Sequence, residues 1–482
     1  MKYRLFRSNY LTLIIISGLI LRFLFLFYGA EIYYQRTVFY VMPDTRAWQK
    51  CIENLIHHGE YALTHNNGYF ARMPGYSFFM GIFYFFSGFD WDQAYKLIAV
   101  FQTALDILCI KLIYGITRNI YRNNKKALIS AILYAIYPFV IVWNPICISE
   151  SLSVFLVIFF LFYFIKSYHS KSNILFSVSA IILALACLTR PQIIPLFPIA
   201  TLSLFLKRKT ISLKKITVFA FSFLLIFGFW PLRNYINHDK LLITKNADGF
   251  PGWTIDVISF MQYTYSVKTD WDPQYTSIIQ NTTTTYPEIS YFRKDDSLKL
   301  VRAIYLAKNC GSGFSNKKGY WNSKIQSKDE NCNKEIAKIF KELRSNQIKE
   351  NPLNFYIYIP LENLKKAIFK SSLINKKSNI INILSSFLFG LRTFLIIIGF
   401  LGLFINLNQT SKIFSLISIL FFLSVYITLC FGTAPFMRNI EIRYFLVPDV
   451  LLLISASHFF IFLKKNYQTT SIYKALKIKM WN

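Results

Sequence analysis

An acid and an arginine follow the first long apolar run of the chain, in two short polar segments. Asp44 lies in Met42-Pro43-Asp44-Thr45, and Arg72 opens Arg72-Met73-Pro74-Gly75-Tyr76. A carboxylate can take a proton from an attacking hydroxyl group, and a guanidinium group matches phosphate oxygens in a bidentate manner. Beside a membrane, this combination indicates chemistry on a lipid-borne substrate, with Asp44 as general base. The alternative is that Asp44 only caps a helix over 45–57.

Further charged residues stand at the ends of apolar runs. Glu150 lies in Ile148-Ser149-Glu150-Ser151, where an acid either satisfies the dipole of a helix N-terminus or joins Asp44 in holding a divalent cation, because carboxylates suit a hard metal ion. Expelling a lipid phosphate requires positive charge where the charge of the leaving group develops. The candidates for that role, which otherwise pair with acids or headgroups, are Arg72, Arg190, Arg233 and Arg443.

The composition excludes a soluble enzyme. Apolar residues make up 54% of the chain, which includes 48 Phe and 31 Tyr, and the formal net charge is +30. Because the basic residues lie mainly in loops and in one long polar insert, we expect anionic lipids and lipid phosphates as partners, and no nucleic acid. Metal-finger, HExxH, Walker A and GxGxxG patterns do not occur in the sequence, so a nucleotide as direct donor has no support. The sequence leaves open whether Cys310 and Cys332 form a disulfide.

Apolar runs long enough to cross the membrane, which takes about 20 residues, predict about ten transmembrane helices. The run 74–89 begins with Pro and Gly and is short, and we interpret it as a juxtamembrane helix of the first outer loop. With that choice all short basic loops fall on the cytoplasmic side, and Asp44, Glu150 and the boundary arginines fall on the outer side. The predicted spans are 11–28, 94–117, 127–146, 148–166, 173–189, 191–206, 216–232, 384–405, 413–432 and 443–463.

The predicted fold is therefore an all-α polytopic membrane protein of the cytoplasmic membrane, with an extracytoplasmic site. We divide it into a transmembrane catalytic module over 1–232, an extracytoplasmic insert over 233–380, and C-terminal transmembrane helices with a basic cytoplasmic tail over 381–482. The insert mixes polar residues with scattered aromatic residues, as expected of a small domain with short helices that precedes the last three spans.

The motifs, taken in order, resemble the GT-C superfamily of membrane glycosyltransferases, in particular the protein O-mannosyltransferases and the lipid A aminoarabinose transferases. The resemblance covers the first half of the chain and continues through one late motif. The segments that carry it are Asp44 with Ala47, Gly59-Glu60-Tyr61, Arg72-Met73-Pro74-Gly75-Tyr76, Tyr137-Pro138, Ser149-Glu150-Ser151-Leu152, Leu188-Thr189-Arg190-Pro191, Pro231-Leu232-Arg233-Asn234-Tyr235 and Arg443-Tyr444 with Pro448.

This resemblance implies a polyprenyl-phosphate-linked sugar as donor, inversion at the anomeric carbon, and a lipid, glycan or protein hydroxyl as acceptor. It implies that Asp44 stands at the catalytic acid position and Glu150 near a second acidic position that some members use beside a metal ion. It places Arg190, Arg233, Arg443 and Tyr444 near the phosphate. Thr45 stands where many mannosyltransferases have a second acid. No cofactor is certain, and a divalent metal ion stays open.

Two other functions compete with this interpretation. A flippase for lipid-linked glycans would place charges around the middle of the bilayer to line a path, and the buried charges expected here, Asp106, Lys111 and Arg392, are few and isolated in the sequence. A glycan polymerase would rely on paired arginines of the outer loops, and Asp44 would be dispensable. Substitution of Asp44 by Asn separates the transferase from both.

Overall fold

The computed structural model describes residues 2–63, 72–170, 172–207, 211–244, 254–267, 294–310, 330–369, 379–405, 409–431 and 440–469. Within these ranges all regular secondary structure is helical, which confirms the all-α class. The helices are α1 Lys2–Leu24, α2 Ala30–Tyr34, α3 Pro43–His58, α4 Pro74–Phe86, α5 Trp91–Tyr121, α6 Asn124–Ala135, α7 Pro138–Ile141, α8 Ser149–Ser170, α9 Asn173–Thr189, α10 Leu196–Phe205, α11 Leu213–Phe227, α12 Phe229–His238, α13 Ile255–Val267, α14 Lys294–Asn309, α15 Glu330–Glu350, α16 Ile359–Phe369, α17 Asn379–Leu403, α18 Gln409–Phe431 and α19 Leu446–Thr469.

Seven helical stretches among the described residues are long and apolar enough to cross a membrane. Two shorter apolar stretches, Asn173–Thr189 and Pro191–Phe205, coincide with predicted spans. The polytopic class is thus confirmed, whereas the predicted number of ten spans is not. The seven stretches are Asn9–Tyr34, Trp91–Tyr121, Ser149–Ser170, Leu213–His238, Asn382–Leu403, Thr410–Phe431 and Ile442–Lys464.

The predicted span over 127–146 is not a continuous helix. Helix α6 ends at Ala135 after 12 residues, a length of about 18 Å. Tyr137 has an extended backbone before Pro138, because the proline ring disfavours helical geometry in the preceding residue. The chain then passes through α7 and a turn before α8 begins at Ser149. The stretch therefore connects α5 to α8 as two short helices and a turn.

The broken end of α6 is stabilised by a buried arginine. Arg22 of α1 donates from Nη1 to the carbonyl oxygen of Ala135 at 2.7 Å and from Nη2 to that of Tyr134 at 3.4 Å. Its Nε donates to Asp106 Oδ2 at 2.5 Å, and Asn144 Nδ2 donates to the same oxygen at 2.7 Å. Carbonyl groups at a helix end buried in apolar surroundings need such donors, so Arg22 and Asp106 make the interruption tolerable.

A second network of the same kind holds the end of α16. Arg392 Nη1 donates to the carbonyl oxygen of Ala367 at 2.7 Å, and Arg392 Nε donates to Asp449 Oδ2 at 2.7 Å. Tyr426 donates its hydroxyl to Asp449 Oδ1 at 2.9 Å. The expectation that Asp106 and Arg392 are isolated charges was therefore wrong, because each belongs to a closed pair. Lys111, the third expected buried charge, is exposed on α5.

Helix α4 fits the juxtamembrane interpretation of the run 74–89. It has 13 residues, about 20 Å, which is too short to cross about 30 Å of hydrocarbon. It packs against α3 and α5 through the buried residues Tyr76, Ser77, Met80 and Tyr84, while Phe85 and Phe86 are exposed.

Helices α13, α14 and α15 share a hydrophobic cluster of their own, which includes Phe260, Ile304 and Phe340. Cys310 and Cys332, left open by the sequence, are joined in a disulfide beside this cluster. The three-part division of the chain stays a prediction.

Candidate active site

Asp44 lies in the first turn of α3, and it is not the residue that caps this helix. Helix α3 begins at Pro43, a residue type favoured at the first helical position, and its N-cap is Met42. The amide of Met42 donates to Thr45 Oγ1 at 3.0 Å. The alternative interpretation of Asp44 as an N-cap was therefore wrong, because Thr45 makes the side-chain contact at the helix start.

Both carboxylate oxygens of Asp44 accept hydrogen bonds from arginine. Arg72 Nη2 lies 2.5 Å from Oδ1, and Arg443 Nη1 lies 2.8 Å from Oδ2. Burial by itself would raise the pKa of Asp44. The positive charges of Arg72 and Arg443 outweigh burial and hold this pKa well below its ordinary value of 3.8. Asp44 is therefore an ionised carboxylate throughout the physiological pH range.

Glu150, at the start of α8, forms the second acidic centre. Its side chain is 3% exposed, and its Oε1 lies 2.9 Å from Arg190 Nη1 and 3.8 Å from Arg443 Nη1. Arg190 directly follows the C-terminus of α9 and also donates to Gln192 Oε1 from Nε and Nη2, at 3.2 and 3.0 Å. The resulting ion-pair chain runs from Arg72 through Asp44, Arg443 and Glu150 to Arg190. We call these five residues the outer cluster, after the side of the membrane on which the sequence predicts them.

Sequence reasoning missed Glu441, whose Oε2 accepts from Arg443 Nε at 2.5 Å. It stands two residues before Arg443, ahead of the last apolar stretch, and an acid at this spacing from the late Arg-Tyr motif was the available signal. Arg443 thus contacts three carboxylates, those of Asp44, Glu150 and Glu441. The planar guanidinium group makes these contacts from two separate nitrogens, Nη1 and Nε, a spread of donors that the single nitrogen of an ammonium group lacks.

Gly75 explains why the Arg-Met-Pro-Gly segment needs a glycine. A Cβ atom at this position would lie 2.7 Å from the carbonyl carbon of Leu188 and 2.8 Å from the backbone nitrogen of Thr189. Side-chain atoms do not fit so close to backbone atoms, so only glycine lets the start of α4 approach the end of α9. This approach brings the segment that carries Arg72 beside the segment that carries Arg190.

Aromatic rings lie against all three arginines of the outer cluster. Arg72 Cζ lies 4.3 Å from the ring centre of Trp48, and Arg443 Cζ lies 5.2 Å from that of Tyr444. The Tyr444 ring is also 5.8 Å from Arg190 Cζ. Cation–π contacts at these distances stabilise guanidinium groups beside the rings. The predicted site residue Tyr444 therefore lies in the site, and Trp48 joins it.

The structure does not bring Arg233 into the outer cluster. Arg233 Nη2 donates to the carbonyl oxygen of Tyr61 at 3.3 Å, and its Nη1 lies 3.1 Å from His238 Nε2. Its guanidinium group also lies over the rings of Tyr61 and Trp230. The Tyr61 hydroxyl in turn donates to the carbonyl oxygen of Met73 at 3.2 Å, next to Arg72. Arg233 thus supports the segment that carries Arg72 indirectly, through Tyr61.

A small pocket lies against the outer cluster. One part of its wall is polar and includes Glu150, Arg190, Gln192, Arg443 and Tyr444. The other part is apolar and consists of side chains from the helices around it, mainly Ile193, Phe421, Val425, Leu446, Val447 and Pro448. A cavity with these two parts suits a ligand that joins an anionic group to a hydrocarbon chain.

The acids in the described part of the chain were compared with the clusters that usually hold metal ions. Within these residues no group of three or more His, Cys, Asp or Glu side chains converges in a way that could hold a metal ion. Arg443 Nη1 lies between Asp44 and Glu150, where a cation shared by both acids would sit. The donor set therefore fits a guanidinium group, and the divalent ion stays a prediction from the resemblance.

Comparison with protein families supports the resemblance found in the motifs. Residues 72–232, about a third of the chain, match the family described as dolichyl-phosphate-mannose-protein mannosyltransferase. The match confirms the resemblance to membrane glycosyltransferases of the GT-C superfamily. It begins at Arg72 and includes Glu150 and Arg190, while Asp44, Arg233 and Arg443 lie outside it. No curated protein matches the chain in sequence.

Among solved structures, the chain is similar to the archaeal oligosaccharyltransferase AglB from Archaeoglobus fulgidus in complex with an inhibitory peptide and a dolichol-phosphate. The identity is 12%, the TM-score is 0.48, and the match covers 99% of this chain and 52% of that chain. An oligosaccharyltransferase from Archaeoglobus fulgidus tethered with an acceptor peptide gives 11% identity and a TM-score of 0.42, over 98% of this chain and 51% of that chain. The chain thus spans about half the length of these structures, and the likeness is too distant to assign a substrate or a mechanism.

Proposed function

We propose that the chain transfers a sugar from a polyprenyl-phosphate carrier to a hydroxyl group on a lipid, a glycan or a protein, at the outer face of the cytoplasmic membrane. The observation that carries the proposal is the outer cluster beside the cavity with one apolar wall. The cluster offers guanidinium groups for the carrier phosphate, and the apolar wall offers a surface for the first prenyl units. The family match supports the lipid-linked donor, because its described members take a sugar from dolichyl phosphate.

In the proposed reaction the acceptor oxygen attacks the anomeric carbon of the sugar. The bond between that carbon and the phosphate oxygen breaks, the configuration inverts, and the acceptor proton passes to Asp44. The depressed pKa keeps Asp44 deprotonated, and each of its oxygens, although bonded to an arginine, has a second lone pair for the acceptor hydroxyl. The expelled lipid phosphate gains negative charge, which Arg190 and Arg443 stabilise.

Glu150 has a supporting role in this proposal. It is buried between Arg190 and Arg443, so it holds both guanidinium groups at the cavity wall rather than taking the acceptor proton. The three arginines of the outer cluster supply positive charge in the reaction.

The proposal is tested in a strain that lacks the gene, by mass analysis of surface glycolipids and glycoproteins. We expect the loss of one sugar residue from one acceptor, restored by the wild-type chain and not by Asp44→Asn. The matched control is Asp92→Asn, because Asp92 is an exposed acid in the first turn of α5, and it should restore the sugar fully. Restoration of the sugar by Asp44→Asn would refute Asp44 as the base, and unchanged glycans in the deletion strain would refute the transferase.

A further inference from the structure

Gln102 is a fully buried amide in the membrane-spanning helix α5. Its Oε1 accepts from the Tyr76 hydroxyl at 2.8 Å. Its Nε2 donates to the carbonyl oxygens of Asn144 and Ile146, at 3.0 and 2.9 Å. A glutamine side chain has one acceptor oxygen and two N–H donors, so these three bonds engage both ends of the amide. A buried polar group in a membrane helix is costly unless its partners are satisfied, and such groups usually serve a function.

The first partner leads to Arg72. Tyr76 is the third residue of α4 and is fully buried. Its ring lies edge-on to the ring of Trp48, with 5.2 Å between centroids. Trp48 also contacts Arg72, whose Cζ lies 4.3 Å from the indole ring centre. The plane of the Arg72 guanidinium group thus depends on Tyr76 through Trp48.

The other partners lead to Glu150 and to the segment before Asp44. The turn that contains Asn144 and Ile146 ends at Ser149, where α8 begins, so it sets the place of Glu150. In the same turn the amide of Cys147 donates to the carbonyl oxygen of Tyr40 at 2.8 Å, just ahead of α3. This turn follows the break after α6 and is held by backbone hydrogen bonds together with the two bonds from Gln102.

We propose that Gln102 is a positioning residue, which fixes the Arg72 guanidinium group relative to Glu150 and thereby shapes the phosphate-binding side of the outer cluster. Gln102 is the point at which α5 holds both the start of α4 and the turn before α8. This inference rests on the proposed function, since it assumes that the outer cluster binds a lipid phosphate.

The test measures the affinity of the purified full-length chain in detergent for undecaprenyl phosphate, by thermophoresis. Gln102→Met keeps the length of the side chain and removes its three hydrogen bonds, and we expect binding about tenfold weaker. The matched control is Thr103→Val, the next residue of the same helix, because the buried Thr103 hydroxyl bonds only to Ala99 within α5. Its affinity should equal that of the wild type.

A double-mutant cycle separates positioning from general damage to the fold. If Gln102 acts through Arg72, then Gln102→Met weakens binding in the wild type but adds little in an Arg72→Gln background. An equal loss in both backgrounds, or unchanged affinity of Gln102→Met, overturns the inference.

If Gln102→Met does not yield a monodisperse protein, Tyr76→Phe enters the same cycle, since it removes one hydroxyl and keeps the ring against Trp48. Failure of the wild type to bind the probe overturns the proposed function itself. If the wild type binds the probe and Gln102→Met weakens binding equally with and without Arg72→Gln, only the positioning role is overturned.

Discussion

The chain uses arginine, acid and tyrosine in two regions, and the partners of the arginines differ between them. In the membrane-spanning bundle, Arg22 and Arg392 donate to the backbone carbonyl oxygens of Ala135 and Ala367 and pair with one aspartate each. In the outer cluster, Arg190 and Arg443 pair with carboxylates at a cavity wall. A guanidinium group that caps a helix end cannot leave without exposing carbonyl groups to hydrocarbon. A guanidinium group that pairs with a carboxylate side chain can exchange that side chain for a phosphate group.

The carboxylate of Asp44 also differs in exposure from the aspartate of the buried pair Arg392–Asp449. The side chains of Arg392 and Asp449 are 0% and 2% exposed, whereas that of Asp44 is 26% exposed. We therefore interpret the buried pairs as structural and the outer cluster as functional, and we expect substitutions in the first region to change stability and substitutions in the second to change turnover.

Asp44→Asn should give the largest effect on turnover. A general base contributes about 10²- to 10⁴-fold to the rate, so we expect the transfer rate to fall by roughly 10³-fold, about 4 kcal/mol in the activation free energy. The free energy of unfolding should change less than in Asp449→Asn, which is the same substitution in the buried network. The measurements are single-turnover transfer to the acceptor found in the deletion strain, and thermal unfolding in detergent. The comparison fails if Asp449→Asn reduces turnover more than Asp44→Asn without a loss of stability.

Arg392→Met should give the largest loss of stability. The substitution leaves the Asp449 carboxylate buried without its cation and removes a donor from the end of α16. Loss of one partner of a buried ion pair costs about 3–5 kcal/mol, which a thermal unfolding curve of the detergent-solubilised protein would show.

The double variant Arg392→Met with Asp449→Leu serves as its control. It removes the unpaired charge as well, so it should recover part of the loss, but not all of it, because the carbonyl oxygen of Ala367 still lacks the Arg392 donor. Full recovery of the free energy of unfolding would show that the hydrogen bond from Arg392 to the end of α16 contributes nothing to stability.

The sequence predicted the class of the fold and the residues of the outer cluster for a common physical reason. Apolar run length identifies membrane helices directly, and a charged residue at the end of an apolar run is conspicuous. Asp44, Arg72, Glu150, Arg190 and Arg443 were all chosen on that ground, and the structure brings them together. Arg233 met the same criterion and lies against Tyr61 instead, because position along the chain does not determine the direction of a side chain.

The features that the sequence did not predict depend on contacts between distant segments. The interruption of the 127–146 run is tolerable only because Arg22, more than a hundred residues earlier, reaches the carbonyl of Ala135. The pairing of Arg392 with Asp449 and the role of Gln102 depend in the same way on helix packing. Hydropathy along the chain contains no information about such partners, so Asp106 and Arg392 looked isolated.

Arg443→Lys compared with Arg233→Lys tests which arginines belong to the site. Arg443 contacts three carboxylates from two nitrogens, Nη1 and Nε, and the single nitrogen of lysine lacks this fixed geometry, so we expect turnover to fall by roughly tenfold to a hundredfold. Arg233 lies outside the outer cluster, and we expect Arg233→Lys to reduce turnover by less than about threefold, which is below 1 kcal/mol. Both variants are measured with the single-turnover assay. A larger loss for Arg233→Lys would place Arg233 on the substrate and contradict the assignment from the structure.

The smallest effect concerns pH and sharpens the contrast between Asp44 and an ordinary surface acid. Arg72 and Arg443 outweigh burial and lower the pKa of Asp44 in the folded chain below 3.8, so the unfolded chain holds more protons at this site between the two pKa values. The contribution of ionised Asp44 to the free energy of unfolding is then complete above about pH 5 and is lost as the pH falls through the folded pKa. The difference in stability between wild type and Asp44→Asn should stay constant from about pH 8 to pH 5 and shrink below about pH 4. If thermal unfolding showed the difference shrinking already between about pH 7 and pH 5, the carboxylate would have a raised pKa, and the two arginines would not be its partners in solution.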